Sequence, residues 1–301
     1  MYNNVYALLK ALTGKMILDT IRITILIIIT LIYAIFDVYN KRNVPDAFVY
    51  SGLAIGIAAT LTYGLSTAFI SILLALGIGG IGYVLYKIGQ LGLGDSLEFA
   101  TISLLLPIQP APLLISVDQL GFPFIFSVFL STGIVALVAV PIYYMFRSPS
   151  VKVARIRIGA AEILRTLLLF LAYLMLAVYI TYIFGIKIAA LSIITILAAS
   201  SVAISLFEKR INLGMIEFIY PKQIEPGDMI AVNFMSKKEI ASFKKKTSLF
   251  GRLATTDLIQ KIQDMKVKIP VYKHAVPLAL FTFIGTIISL LLGNIIFLLL
   301  I

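Results

Sequence analysis

Long apolar runs alternate with short polar segments over most of the chain, and they are the first guide to its fold. Each run is close to the about 20 residues that a helix needs to cross a bilayer. The pattern predicts an all-α polytopic membrane protein with about eight spans, or six to eight when the less regular runs are discounted. The runs cover residues 17–36, 46–65, 67–87, 95–116, 122–146, 163–184, 188–207 and 276–300.

Two stretches of this pattern are irregular. The fourth run, 95–116, is interrupted by Pro107, Pro110 and Pro112. Residues 1–15 are too polar to cross a bilayer, and they are expected to form a short amphipathic helix.

The longest polar stretch, 208–274, predicts a small α+β cytoplasmic domain before the last span. Two β-prone runs flank the turn-forming sequence Pro226-Gly227-Asp228. The Ser236-to-Glu239 spacing of a capping box predicts one helix, and a second is expected from Thr256. The predicted division is a membrane domain at 1–207, the small domain at 208–274 and a C-terminal transmembrane helix at 275–301. The small domain has few large apolar residues, so we expect it to pack against the membrane domain or the lipid surface.

Composition and charge agree with a membrane protein. The chain is 60% hydrophobic and 13% charged, whereas soluble domains are about 45–50% apolar. The net charge is +11, and most of the 25 Lys and Arg residues fall in alternate loops, at 41–42, 87, 147–157 and 208–274. Basic loops stay in the cytoplasm. We therefore predict a multi-pass protein of the plasma membrane, with the bilayer as a partner and no role for nucleic acid.

The residue inventory excludes several kinds of chemistry. The chain has no cysteine and one histidine, so thiol nucleophiles are excluded and no metal site is expected. It lacks the glycine-rich loop of nucleotide-driven transporters. We predict no cofactor.

A few acidic residues lie at the ends of predicted spans. Asp37 closes the first span and Asp95 opens the fourth from the same predicted side, so folding can bring the two carboxylates together. Each also has a structural explanation. Asp95 and Glu98 have the spacing of a helix cap, and Asp37 could pair with Lys41. Glu162 and Arg165, three residues apart, are expected to pair locally.

Asp37 begins the sequence DVYNKRNVPD, and Asp95 ends Gly92-Leu93-Gly94-Asp95. Over residues 30–105 this resembles the GxGD membrane aspartyl proteases, in particular type IV prepilin peptidases and archaeal preflagellin peptidases. The resemblance implies that Asp37 and Asp95 are catalytic and that Gly92 and Gly94 form an active-site loop. Two features depart from the family: Leu97 stands where lysine is common, and 163–207 resembles a two-span insertion. The missing cysteine-bearing N-terminal region points to the archaeal type, which cleaves only.

The same resemblance implies the substrate and the chemistry. The substrates would be precursors with class III signal peptides, meaning type IV pilin-like or archaellin precursors, whose basic leader is cut at the cytoplasmic face. Asp46 and Glu98 are candidate contacts for that leader. Two close carboxylates share one proton. A helix N-terminus favours an anion, which suggests Asp95 as the ionised member and Asp37 as the protonated one.

Two other functions fit parts of the pattern. A presenilin-like or signal-peptide-peptidase-like enzyme shares the GLGD spelling but would hold its aspartates deep in adjacent spans. A secondary transporter would use intramembrane carboxylates and discontinuous helices. Processing of a precursor separates a protease from a transporter.

Overall fold

The computed structural model describes residues 2–40, 44–88, 90–114, 121–146, 159–235, 240, 243, 254–263, 267–273 and 276–298, with only the backbone for 2–15, 145 and 298. The described chain is mainly helical. The helices are α1 (Tyr2–Tyr39), α2 (Asp46–Thr60), α3 (Leu65–Ile88), α4 (Leu93–Leu105), α5 (Phe124–Phe146), α6 (Ala160–Phe184), α7 (Ile188–Gly214), α8 (Thr256–Ile262), α9 (Leu278–Leu292) and α10 (Ile295–Leu298). Strands β1 (Glu217–Ile219) and β2 (Ile269–Val271) form one small sheet.

All eight predicted segments contain a helix, but within the described residues five helical segments are long and apolar enough to cross a membrane. They are Met16–Tyr39, Leu65–Ile88, Phe124–Tyr144, Ala160–Phe184 and Ile188–Gly214. The helices α2 and α9 are apolar but only 15 residues long, and α4 has 13 residues. The helical membrane class is therefore supported, while the count of eight spans is not.

The ends of several elements differ from the sequence-based expectation. Residues 1–15 were expected to form a short helix, and residues 2–15 are helical but continue into the first span as one helix, Tyr2–Tyr39. The fourth span was expected to run to residue 116, but α4 ends at Leu105. The next residue, Leu106, precedes Pro107, and a residue before proline is disfavoured in the helical conformation. The chain then forms a bridge between Ile108 and Pro123.

The last predicted span, 276–300, is interrupted in the same way. Helix α9 stops before Gly293, which has φ +72°, a left-handed conformation that glycine adopts at little cost. The Asn294 side chain then accepts a hydrogen bond from the Ile296 N–H at 2.9 Å, so it caps the start of α10.

The first of two compact units comprises Met1–Tyr83, Leu93–Val135 and Pro277–Phe297. Within it, α1 packs against α9 and α4, and α2 packs against α4. These contacts bury apolar side chains from all four helices and from the start of α5. The cluster includes Leu26, Ile29, Tyr33, Val49, Phe99, Ile102, Leu105, Phe124, Ile125, Val128, Ala279 and Leu290.

Arg22 makes several contacts within this unit at a position well away from Asp37. Its guanidinium contacts Asp19 at 2.8 Å and the Thr62 hydroxyl at 2.5 Å, and it lies 3.6 Å from the centre of the Tyr63 ring. The Tyr63 hydroxyl in turn donates to the Leu105 carbonyl at 2.5 Å. This cluster joins α1, the α2–α3 turn and the end of α4. It lies about 20 Å along α1 from Asp37, at 1.5 Å per residue.

The second unit comprises Val84–Gly92, Ala136–Val276 and Leu298–Ile301, so the division differs from the predicted domain boundaries. Helices α6 and α7 pack as a hairpin. The expected local pair of Glu162 and Arg165 is wrong. Glu162 instead binds Lys209 at 2.6 Å, and Arg165 binds Glu208. Both ion pairs cross from α6 to α7 and so fix the register of the hairpin.

The 208–274 segment mixes a small sheet with helix, as predicted. Strand β1 pairs with β2 in antiparallel register, whereas the run after the Pro226–Gly227 turn makes only a bridge from Ile230 to Val271. Helix α8 begins at Thr256, with the Thr255 side chain accepting from the Leu258 N–H. The capping box at 236–239 lies outside the described residues. The segment has its own buried cluster, which includes Ile219, Ile224, Ile230, Met235, Phe243, Ala254, Ile262, Ile269 and Val271.

Candidate active site

Asp37 joins two helices near the C-terminal end of α1. Its side chain is buried, with 6% of the residue exposed. Its Oδ2 accepts a hydrogen bond at 2.9 Å from the backbone N–H of Ala279, in the first turn of α9. The first N–H groups of a helix have no partner within the helix, and the carboxylate supplies one. The expected partner Lys41 lies outside the described residues.

Asp95 lies in the first turn of α4, two residues after the helix begins at Leu93. It is half-buried, so it is more exposed than Asp37 and Glu98. The neighbouring Ser96 is buried and packs against Gly82 of α3, where any larger side chain would overlap it. This close contact fixes the rotation of α4. Because the helix starts before Asp95, this residue is not the N-cap that the sequence suggested.

Glu98 lies one turn after Asp95 and is fully buried. Neither of its carboxylate oxygens has a hydrogen-bond partner within the described part of the chain. Glu98 therefore does not make the side-chain bond that the predicted cap with Asp95 requires of it. The charges of both Asp95 and Asp37 act on Glu98. The C-terminal end of α1 and the N-terminal ends of α4 and α9 thus meet at an acidic cluster, defined here as Asp37, Asp95 and Glu98.

The predicted active-site glycines differ in their surroundings. Gly92 is exposed just before α4. Gly94 is the second residue of α4, and a methyl group added to it would meet no other atom within 4 Å. Its φ also lies outside the left-handed region. Neither packing within the described chain nor backbone conformation therefore explains why residue 94 is glycine.

Asp46, the other candidate for contact with a leader, is exposed in the first turn of α2. Pro45 is the residue before this helix, with the extended backbone usual at that position. Asp46 thus has a favourable position beside the helix N-terminus and remains accessible to a ligand.

Two participants in the site were missed from the sequence. Tyr33 precedes Asp37 by four residues and is fully buried, and the charges of Glu98 and Asp95 act on it. The i, i+4 spacing puts Tyr33 and Asp37 on one face of α1, which was a readable signal. Ala279 is 242 residues from Asp37, and no local pattern links the two.

The arrangement weakens the predicted assignment of charge within the aspartate pair. Asp95 was expected to be the ionised member because it lies at a helix N-terminus. Asp37 also accepts a hydrogen bond from a helix N-terminus, so the same reasoning applies to both carboxylates. Among the described residues, no group of three His, Cys, Asp or Glu side chains is arranged to hold a metal ion.

Comparisons of the chain with protein-family models, with curated proteins and with solved structures give no match.

Proposed function

We propose that the protein is a membrane aspartyl endopeptidase in which Asp37 and Asp95 activate a water molecule. The observation that carries the proposal is that two aspartates 58 positions apart in the sequence, Asp37 at the end of α1 and Asp95 in the first turn of α4, both lie near the buried Glu98. A purely structural aspartate at either position would have no need of the other. Peptide hydrolysis by paired aspartates needs both.

The proposed chemistry uses unlike protonation states of the two carboxyl groups. The ionised aspartate accepts a proton from water as the water oxygen attacks the scissile carbonyl carbon. The protonated aspartate donates a hydrogen bond to the carbonyl oxygen. As the C–N bond breaks, the proton that the first aspartate took from water passes to the leaving nitrogen, which restores the starting state of the pair. One proton shared by two nearby carboxylates provides this state, because ionising both is costly.

The proposed substrate is a precursor whose short basic leader precedes a hydrophobic helix, and the proposed site of cleavage faces the cytoplasm. The acidic cluster and the basic leader have complementary charges. Glu98 has no exposed surface and so is a poor candidate for direct contact with the leader. Asp46 is exposed and remains the candidate for that role.

The open space beside Gly94 supports an approach of the substrate backbone to Asp95. We expect Gly94→Ala to leave the melting temperature unchanged or slightly higher, because alanine favours a helix by up to about 1 kcal/mol over glycine. Cleavage should fall at least about tenfold, since a methyl group would occupy the proposed path of the substrate. The measurement is the initial rate of precursor cleavage beside a thermal unfolding curve.

Gly80→Ala is the matched control for this substitution. Gly80 is also helical, and a methyl group there also meets no atom within 4 Å, but it lies outside the proposed site. The control should retain wild-type cleavage. Equal rates for the Gly94→Ala and Gly80→Ala proteins would remove Gly94 from the substrate path.

The direct test of the function is cleavage of a synthetic precursor by the purified protein in detergent micelles, followed by mass spectrometry. The proposal predicts one new N-terminus at the junction of the basic leader and the hydrophobic segment, and no product with Asp95→Asn. A cut within the hydrophobic segment would favour the presenilin-like alternative. The absence of any product across a panel of basic-leader precursors would contradict the proposal.

A proton-coupled transporter is the second candidate, and two observations favour it. Glu98 is a buried carboxyl group without a hydrogen-bond partner among the described residues, a feature typical of proton pathways in membranes. Helix α4 ends after 13 residues, and α9 breaks at Gly293, which resembles discontinuous transporter helices. Proton uptake into liposomes that contain the protein, abolished by Glu98→Gln, is expected of a transporter and not of the peptidase.

A further inference from the structure

Three buried oxygen atoms near the aspartates have no hydrogen-bond partner within the described residues. They are both carboxyl oxygens of Glu98 and the hydroxyl of Tyr33. Glu98 and Tyr33 are both 0% exposed, and they lie close enough that a charge on Glu98 would be felt at the Tyr33 hydroxyl. Buried polar atoms without a partner are rare and need an explanation. The two side chains are each other's natural partners.

The surroundings of Glu98 favour its neutral form. A buried carboxylate without a hydrogen-bond donor or a cation is strongly unfavourable. On α4 its charged neighbour is Asp95, and on α1 its titratable neighbours are Asp37 and Tyr33. Helix α9 has no titratable side chain, and those of α2, Asp46 and Tyr50, are exposed. Helix α3 also packs against α4, at Gly82 and Ser96; its Tyr83 and Lys87 are exposed and its Tyr86 is half-buried. The fully buried titratable neighbours therefore add negative charge or none.

We propose that Glu98 carries a proton at neutral pH and acts as a positioning residue that donates this proton in a hydrogen bond to Asp95. Tyr33 would donate its hydroxyl hydrogen to the other oxygen of Glu98. Glu98 is one helical turn from Asp95. Rotation about its side-chain torsions would form both hydrogen bonds, the one to Asp95 and the one from Tyr33. Glu98 would then be a fixed donor to Asp95, as the Ala279 N–H is to Asp37. This role rests on the proposed peptidase function.

The test compares a substitution that keeps a neutral donor with one that removes it. Glu98→Gln keeps an N–H donor and a carbonyl acceptor, so cleavage should stay within about threefold of wild type with an unchanged pH profile. Glu98→Leu fills the same buried space without a donor. Cleavage should then fall about tenfold or more, the size of one hydrogen bond to a charged group.

The pH profile separates positioning from packing. A hydrogen bond donated to a carboxylate stabilises its ionised form. Without the Glu98 donor, the aspartate pair should therefore ionise at higher pH, and the acid limb of the Glu98→Leu profile should move up by about one pH unit. Tyr33→Phe should move it in the same direction by less. A wild-type rate and profile for Glu98→Leu, or loss of cleavage by well-folded Glu98→Gln, would overturn the proposal.

An infrared measurement tests the protonation of Glu98 without relying on cleavage. The difference spectrum of wild type minus Glu98→Gln at neutral pH should contain the carbonyl stretching band of a protonated carboxylic acid. If that band is absent while the wild type cleaves precursors, the peptidase stands and the role of Glu98 fails. If the band is present while the wild type cleaves no precursor, the peptidase fails, and with it the positioning role.

Discussion

Replacing Asp37 with asparagine is expected to abolish precursor cleavage while leaving the protein folded. Asparagine cannot exchange a proton with water or a scissile carbonyl, and general acid–base groups contribute about 10²–10⁴-fold to rate. Its side-chain oxygen can still accept the hydrogen bond that Asp37 accepts from the Ala279 N–H at 2.9 Å. The expected result is a rate at least about 100-fold lower, with a melting temperature close to that of the wild type.

Asp37→Ala separates the two roles of this residue. Alanine removes the proton-exchanging group and also the cap of α9, which should lower the free energy of unfolding by about 0.5–2 kcal/mol. Cleavage by the Asn and Ala variants should be equally low, but only the Ala variant should melt earlier. Substantial cleavage by Asp37→Asn would show that this carboxyl group takes no part in the chemistry.

Gly285→Ala is expected to have the largest effect on stability. A methyl group at residue 285 of α9 would lie 2.6 Å from the backbone nitrogen of Thr132 in α5 and 2.9 Å from its Cα. Because these are backbone atoms, no side-chain rotation can relieve the overlap, and the helices would have to separate. Overpacking of this kind typically costs about 1–3 kcal/mol. The measurement is thermal unfolding in detergent.

Gly133→Ala is the matched control, since residue 133 follows Thr132 on α5 and a methyl group there meets nothing within 4 Å. It should unfold like the wild type. Gly285→Ala should also impair cleavage, because α9 carries the Ala279 N–H that holds Asp37. Equal melting temperatures for the two variants would mean that α5 and α9 are less tightly packed than the structure shows.

The helices were predictable because each apolar run is long and nearly free of charge. Their ends were less so. The three prolines after Leu106 are visible in the sequence, but the predicted fourth span ran past them. A residue that precedes proline is disfavoured in the helical conformation, so the helix end at Leu105 could have been predicted. Gly293 ends α9, and Asn294 caps the start of α10. Because the residues on both sides are apolar, the sequence was interpreted as one uninterrupted span.

The candidate site was predictable in part. The motif around Asp95 and the ending of the first span at Asp37 were readable as local patterns. The burial of Glu98 was not, because the D-x-x-E spacing also fits an exposed helix start. Glu98 lies on α4, most of whose later residues are buried. That burial arises from packing of α4 against α1 and α2, which sequence spacing does not encode.

The central claim, that Asp37 and Asp95 act as one catalytic unit, is tested most directly by a set of four proteins. These are the wild type, Asp37→Asn, Asp95→Asn and the double variant, each assayed for cleavage of one precursor by mass spectrometry. Residues that act as a unit are not additive. The account predicts that both single variants lose cleavage to the same low level and that the double variant loses no more. Substantial cleavage by either single variant, or a double variant slowed by the product of the two separate effects, would contradict it.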